Sequence, residues 1–230
     1  MALGDDLNSQ VVQIFREQWT TSSGRVVPEP DDLALRNDAV VIDGTVLYAD
    51  LDESTELVNK MKPGFAAEIY KAFLGCAARI TRAEGGEITG YDGDRIMAVF
   101  TGKRRNSKAA RTGLKINYAV SKIINPALEC QYPNDRYTVK HQVGIDTSRL
   151  FVTRTGIRGA NDLVWVGRAA NYAAKLSARS GASTQITAAV YNQLSRDTKI
   201  SSDGRSMWTQ QTAAEIGGAT IYTSTWRWEV

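Results

Sequence analysis

The stretch Thr45-Val46-Leu47-Tyr48-Ala49-Asp50-Leu51-Asp52-Glu53-Ser54-Thr55 decides how this chain is read. Its first five residues form an apolar, β-favouring run of the kind that makes a buried strand. The run ends abruptly in three acids, which a strand end does not need for its own stability. Downstream, Phe65, Ile69, Phe73 and Ile80 recur at helical spacing, so Pro63 to Arg82 is expected to be a helix that Gly85-Gly86 terminates. Two short strands follow, Glu87 to Tyr91 and Arg95 to Phe100, joined through Asp92-Gly93-Asp94, a tight hairpin signal that again carries acids.

The pattern continues with a helix over Ala109 to Ile124, a strand pair at Tyr137 to Ile145 and Leu150 to Thr155, and a strand from Leu163 to Val166. A small-residue helix then runs through Ala170, Ala173, Ala174, Leu176 and Ala178, and a last strand lies around Ile221 to Trp226. This order predicts an α+β sandwich, a mostly antiparallel sheet covered by helices. Ahead of it, Leu7, Val11, Ile14, Phe15 and Trp19 share one face of a short helix, and Thr20 to Arg36 is rich in turn formers. Residues 1–38 are therefore read as a packed N-terminal arm and loop, and 39–230 as the main domain.

Composition narrows the function. An apolar fraction of 43% and a charged fraction of 23% suit a globular domain and exclude extended disorder. No apolar run is long enough to span a bilayer, and Asp5 and Asp6 stand where a secretory leader would be basic. A cytoplasmic protein without membrane association is expected. Cys76 and Cys130 fit reduced thiols, and His141 alternates with apolar neighbours like a core residue. The net charge of +3 is dispersed apart from Lys103-Arg104-Arg105, so no nucleic-acid partner is expected. Glu84-Gly85-Gly86-Glu87-Ile88 imitates a diguanylate cyclase signature, but it lies at a helix end and lacks the second acid.

Asp50 after a strand and Asp94 in a hairpin turn can converge on hard divalent cations, magnesium or manganese, in a two-metal arrangement. Read singly, each is first of all a turn residue, since Asp favours turns for local reasons. Three blocks together say more. Leu47 to Leu51 with Ser54-Thr55, then Gly93 to Phe100, then Val166-Gly167-Arg168-Ala169-Ala170-Asn171-Tyr172-Ala173-Ala174-Lys175-Leu176, resemble in order and spacing the class III adenylate and guanylate cyclase domain. The resemblance implies that Asp50 and Asp94 bind two cations, with the Leu51 carbonyl as a further ligand. It also implies that the amides from Leu51 to Thr55 cradle the phosphates. Asn171 matches the residue that orients the ribose. Lys175 stands where the family has a transition-state arginine, keeping the charge and losing the planar fork.

Where adenylate cyclases carry a Lys and an Asp to read adenine, this chain has Gly90 and Arg168. Arginine only donates, so the resemblance favours a base that presents a carbonyl; uracil O4 and guanine O6 both qualify. Tyr91 would add bulk against a purine. Ile14 to Trp19, Gly24 to Glu29, Asn37 to Val40 and Tyr91 to Arg95 further resemble the pyrimidine cyclases of the bacterial Pycsar antiphage system. That resemblance implies conversion of UTP to cyclic UMP, a homodimer in which Asp50 and Asp94 of one chain face Asn171 and Lys175 of the other, and a separate effector protein that reads the cyclic product. A guanylate or cytidylate cyclase and a catalytically degenerate binding module remain the alternatives.

Overall fold

A computed structural model describes residues 2–230. Nine strands form one sheet, in the path β3-β4-β2-β5-β7-β9-β8, with β1 and β6 added beside β2 and β5. Only β1–β2 and β5–β7 are parallel. The predicted mostly antiparallel sheet covered by helices is therefore what the chain forms.

Two long strands make its spine, β2 (Asp38–Leu51) and β5 (His141–Ile157), paired antiparallel along thirteen positions from Ala39↔Thr153 to Leu51↔His141. Alternation along them sends Leu47, Ala49, Val143 and Ile145 to one face. There the helices α3 (Pro63–Ala83) and α4 (Arg105–Ala119) close the main core. Proline at the first turn starts α3, its buried residues Ala66, Ile69, Phe73, Ala77 and Ile80 form one stripe, and Gly85 at φ 79° ends it. The opposite face of the spine receives α6 (Arg168–Ser177) through Ala169, Ala170 and Ala173. That helix sits so close that a Cβ at Gly144 would lie 2.1 Å from the Ala173 carbonyl oxygen. Only glycine fits there.

The structure departs from the sequence reading at four places. The two strands expected at 137–145 and 150–155 are one continuous strand from His141, because the polar run Asp146-Thr147-Ser148 between them is satisfied by the tertiary structure. Thr147 Oγ1 donates to the Gly44 carbonyl, and Asp146 accepts from Arg168 and Thr187. Helix α4 begins at Arg105, earlier than the apolar periodicity shows, after Arg104 takes a left-handed turn at φ 58°. It runs on through a π-helical turn at Val120–Ile124 into α5 (Asn125–Gln131). Within the expected loop of the arm, β1 (Thr20–Ser23) joins the sheet. Finally, the arm helix α1 (Leu3–Arg16) forms as expected but buries none of its residues, so it is tethered at its C-terminal end by Asn37 and not packed along its length.

Among the described residues no helix is long and apolar enough to cross a membrane. Cys76 is half-buried, Cys130 is exposed, and both are free thiols.

Candidate active site

Strand β2 ends at Asp50-Leu51 beside the turn that joins β3 (Glu87–Asp92) to β4 (Arg95–Phe100). Asp50 is directly opposite Arg95 on β4 and Gln142 on β5. Gly93, at φ 62°, closes the hairpin and turns Asp94 back close enough for its carboxylate to act on Asp50. The structure thus unites the two acids that are 44 positions apart in sequence. Partial burial, followed by the Asp94 carboxylate beside it, raises the Asp50 carboxyl to about 6, with Arg95 opposing the shift. A carboxyl held back from ionising beside a second acid fits a site for hard dications, whose charge would relieve both the desolvation and the repulsion. Leu51, the further ligand expected from the resemblance, is buried at the strand end directly after Asp50.

The loop after Leu51 turns through Glu53, a non-glycine residue at φ 59°, into α2 (Ser54–Lys60). The first helical bond of α2 runs from Leu57 to Glu53, so the amides of Ser54, Thr55 and Glu56 have no acceptor inside the helix and can meet an anion. Thr55 itself is exposed. The expected cradle is smaller than the full run from Leu51, because the Asp52 amide donates to the Lys140 carbonyl at 3.0 Å and is spent in the sheet.

Asn171 and Lys175 stand one turn apart on the exposed side of α6, opposite its buried alanines. Neither side chain bonds to the rest of the described residues, and both are free to reach outward. Arg168, at the start of the same helix, is committed instead. Its Nε lies 3.0 Å from Asp146 Oδ2, and its Nη2 lies 3.3 Å from Asp146 Oδ1 and 2.9 Å from the Thr147 carbonyl. Its guanidinium also sits 5.5 Å from the Tyr172 ring centroid.

Tyr91 is 58% exposed and pairs with Ile96, whose side chain belongs to the helix-covered core. Alternation therefore places Tyr91 on the other side of the sheet from Asp50, and it is not brought to the acids. Sequence reasoning missed the tyrosine that is. Tyr48, two residues before Asp50 and so on the same face, is half-buried, donates its hydroxyl to Met97 Sδ at 3.0 Å and lies under the Arg95 guanidinium, 5.3 Å from its ring centroid. The i, i+2 spacing to Asp50 is the signal that could have found it.

A paired-acid strand end beside a hairpin, on a helix-covered antiparallel sheet with an Asn/Lys helix on the opposite face, defines a class III nucleotidyl cyclase. The adenylyl cyclase CyaB from P. aeruginosa has this fold, with a TM-score of 0.66 at 20% identity over 81% of this chain and 95% of that one. No family model matches the chain. Two full-length relatives do, one of Xanthomonas perforans and one of Burkholderia cepacia, both named uridylate cyclase; each is 52% identical over 100% of both chains. The chain belongs to the uridylate cyclase family of nucleotidyl cyclases.

Proposed function

We propose that this enzyme converts UTP to 3′,5′-cyclic UMP and pyrophosphate in the cytoplasm, as a homodimer whose two active sites are each built from both chains. The observation that carries the reading is the meeting of Asp50 and Asp94, one of which holds its proton unusually tightly. Asp50, Asp94 and the Leu51 carbonyl would hold two divalent cations, magnesium or manganese. Such cations, when bound, lower the pKa of the ribose 3′-hydroxyl and neutralise the triphosphate.

The chain's own residues supply the rest. The free amides at the start of α2, at Ser54 and Thr55, donate to phosphate oxygens and hold the triphosphate extended from the acids. Asn171 of the other chain fixes the ribose so that its 3′ oxygen lies in line with the α-phosphorus. The new O–P bond forms as the bond from the α-phosphorus to the bridging oxygen breaks. Pyrophosphate leaves with that electron pair, and the 3′-hydroxyl proton passes to water. Lys175 meets the charge that builds on the phosphoryl oxygens, as a point charge.

Arg168 keeps an Nη1 that has no protein partner among the described residues, and this donor suits uracil O4, with Asp146 fixing its aim. The similarity to uridylate cyclases supports the same substrate, and with it second-messenger synthesis in antiphage defence, the cyclic product acting on a separate effector. Incubating the purified protein with UTP, CTP, GTP and ATP separately, with magnesium or manganese, tests the proposal. Cyclic UMP as the dominant product is expected. Cyclic GMP or cyclic CMP as the dominant product would replace the assigned substrate, and no product from any nucleotide would mean a binding module.

A further inference from the structure

Helix α1 is amphipathic, firmly rooted and uncovered. Leu3, Leu7, Val11, Ile14 and Phe15 fall within roughly a third of the helix circumference at 100° per residue, and their exposures run from 47% to 83%. At its C-terminal end the buried Asn37 donates Nδ2 to the carbonyls of Ile14 (2.7 Å) and Glu17 (2.8 Å), which fixes the helix to the sheet. Trp19 then stands edge-on to Phe151, with ring centroids 4.9 Å apart.

A second apolar surface begins at that contact. Phe151 pairs with Val166 and Thr153 with Val164 on β6 (Ala160–Val166), so these side chains share one face of the sheet. Val166 is 54% exposed, Val164 39% and Trp19 48%. A bare apolar helical stripe and a strand face on which Val164 and Val166 are exposed beside Thr153 thus meet at Trp19.

We propose that these two surfaces dock a second copy of this chain, the α1 stripe of each protomer lying on the β5–β6 face of the other. A helix of 14 residues is marginal in water without tertiary cover, so the stripe requires a partner. An anionic lipid surface is a poor one, because Asp5, Asp6 and Glu17 outnumber Arg16 along the arm. One chain carries both halves of the contact, so a two-fold pair closes with nothing left over. Burying both stripes and both strand faces removes on the order of 1,000–2,000 Å², the size of a specific interface. This deepens the homodimer reading, on which it rests, by naming the segment that holds the copies together.

Sedimentation of the full chain carrying both Leu7→Asp and Val11→Asp tests the assignment. The dimer dissociation constant should rise by at least about tenfold, with any loss of helical circular dichroism confined to the 14 residues of α1, which add nothing to the protomer's core. Specific activity should fall at low protein concentration and return at high. Val164→Asp should produce the same shift from the other side of the contact. An unchanged dissociation constant in both variants overturns the proposal. So does wild-type binding to phosphatidylcholine–phosphatidylserine vesicles that Leu7→Asp abolishes while the dimer persists. Mixing Asp94→Ala with Asn171→Ala reports the shared active site separately. Restored activity there with an unmoved dissociation constant sinks only the arm's role, whereas a fully active monomeric wild type sinks the homodimer reading as well.

Discussion

Arg168 and Asp146 form an ion pair in which the carboxylate is wholly buried and the guanidinium is half exposed. Thr187 Oγ1 donates to the same carboxylate at 2.5 Å. The arginine therefore has a structural duty that precedes any contact with a base. Removing it by Arg168→Ala leaves Asp146 buried without its counter-charge and should lower stability by about 1–3 kcal/mol, after allowance for the exposed partner. Arg168→Lys should recover part of that loss. The base-reading role is separable in the lysine variant, by following KM for UTP and CTP beside the melting temperature. A variant that melts lower yet keeps the UTP-over-CTP ratio shows that Arg168 only supports the site. Arg168→Asp is the poorer probe, since it sets a second acid against Asp146.

Asp50→Asn and Asp94→Asn should each lower turnover by at least roughly a thousandfold with the fold intact. Asp50→Asn should also stabilise the metal-free protein above pH 6. In the fold Asp50 keeps its proton up to about 6, against 3.8 ordinarily, so the native state binds more protons in that window. Stability falls as pH rises through it, by about 1–2 kcal/mol once partial exposure is allowed for. Manganese affinity should move oppositely, tightening as pH rises through 6, because the cation binds the ionised carboxylate. Calorimetric titration at pH 5, 6 and 7 checks this; a flat affinity would remove Asp50 from the ligand set.

His141 gives an acid limb of a different origin. It is buried against Phe73, its Nε2 lacks a partner, and burial holds its pKa near 4, against 6.5 ordinarily. The unfolded chain takes up a proton as pH falls through about 6.5 while the fold refuses it until about 4. The contribution is therefore full above 6.5 and lost on descending towards 4, at up to about 1.4 kcal/mol per pH unit. His141→Leu should flatten that limb in denaturant titrations and cost little at pH 7, since it removes an unsatisfied polar atom.

Asp94→Ala and Asn171→Ala, each inactive alone, should regain activity when mixed and allowed to exchange subunits. A random mixture places one intact site in each heterodimer, so roughly a quarter of wild-type activity is expected. If the mixture stays as inactive as its parents while mass spectrometry shows heterodimers, acids and α6 belong to the same chain's site.

Local signals along the chain are enough to specify the core strand ending in Asp50, the β3–β4 hairpin carrying Asp94, the helix bearing Asn171 and Lys175, and the sandwich class. These rest on local periodicity and turn chemistry, which act over a few residues and survive reading in one dimension. Tertiary structure alone decided the rest. Asp146-Thr147-Ser148 breaks the apolar alternation between two expected strands until Arg168 and Thr187 satisfy the buried carboxylate, which makes β5 one strand. Tyr48, not Tyr91, stands by the acids because strand pairing sets which face each residue takes. The arm's apolar stripe predicts a helix but not what covers it. Amphipathicity specifies an apolar face, whereas what covers it is set outside the helix, and among the described residues nothing buries it.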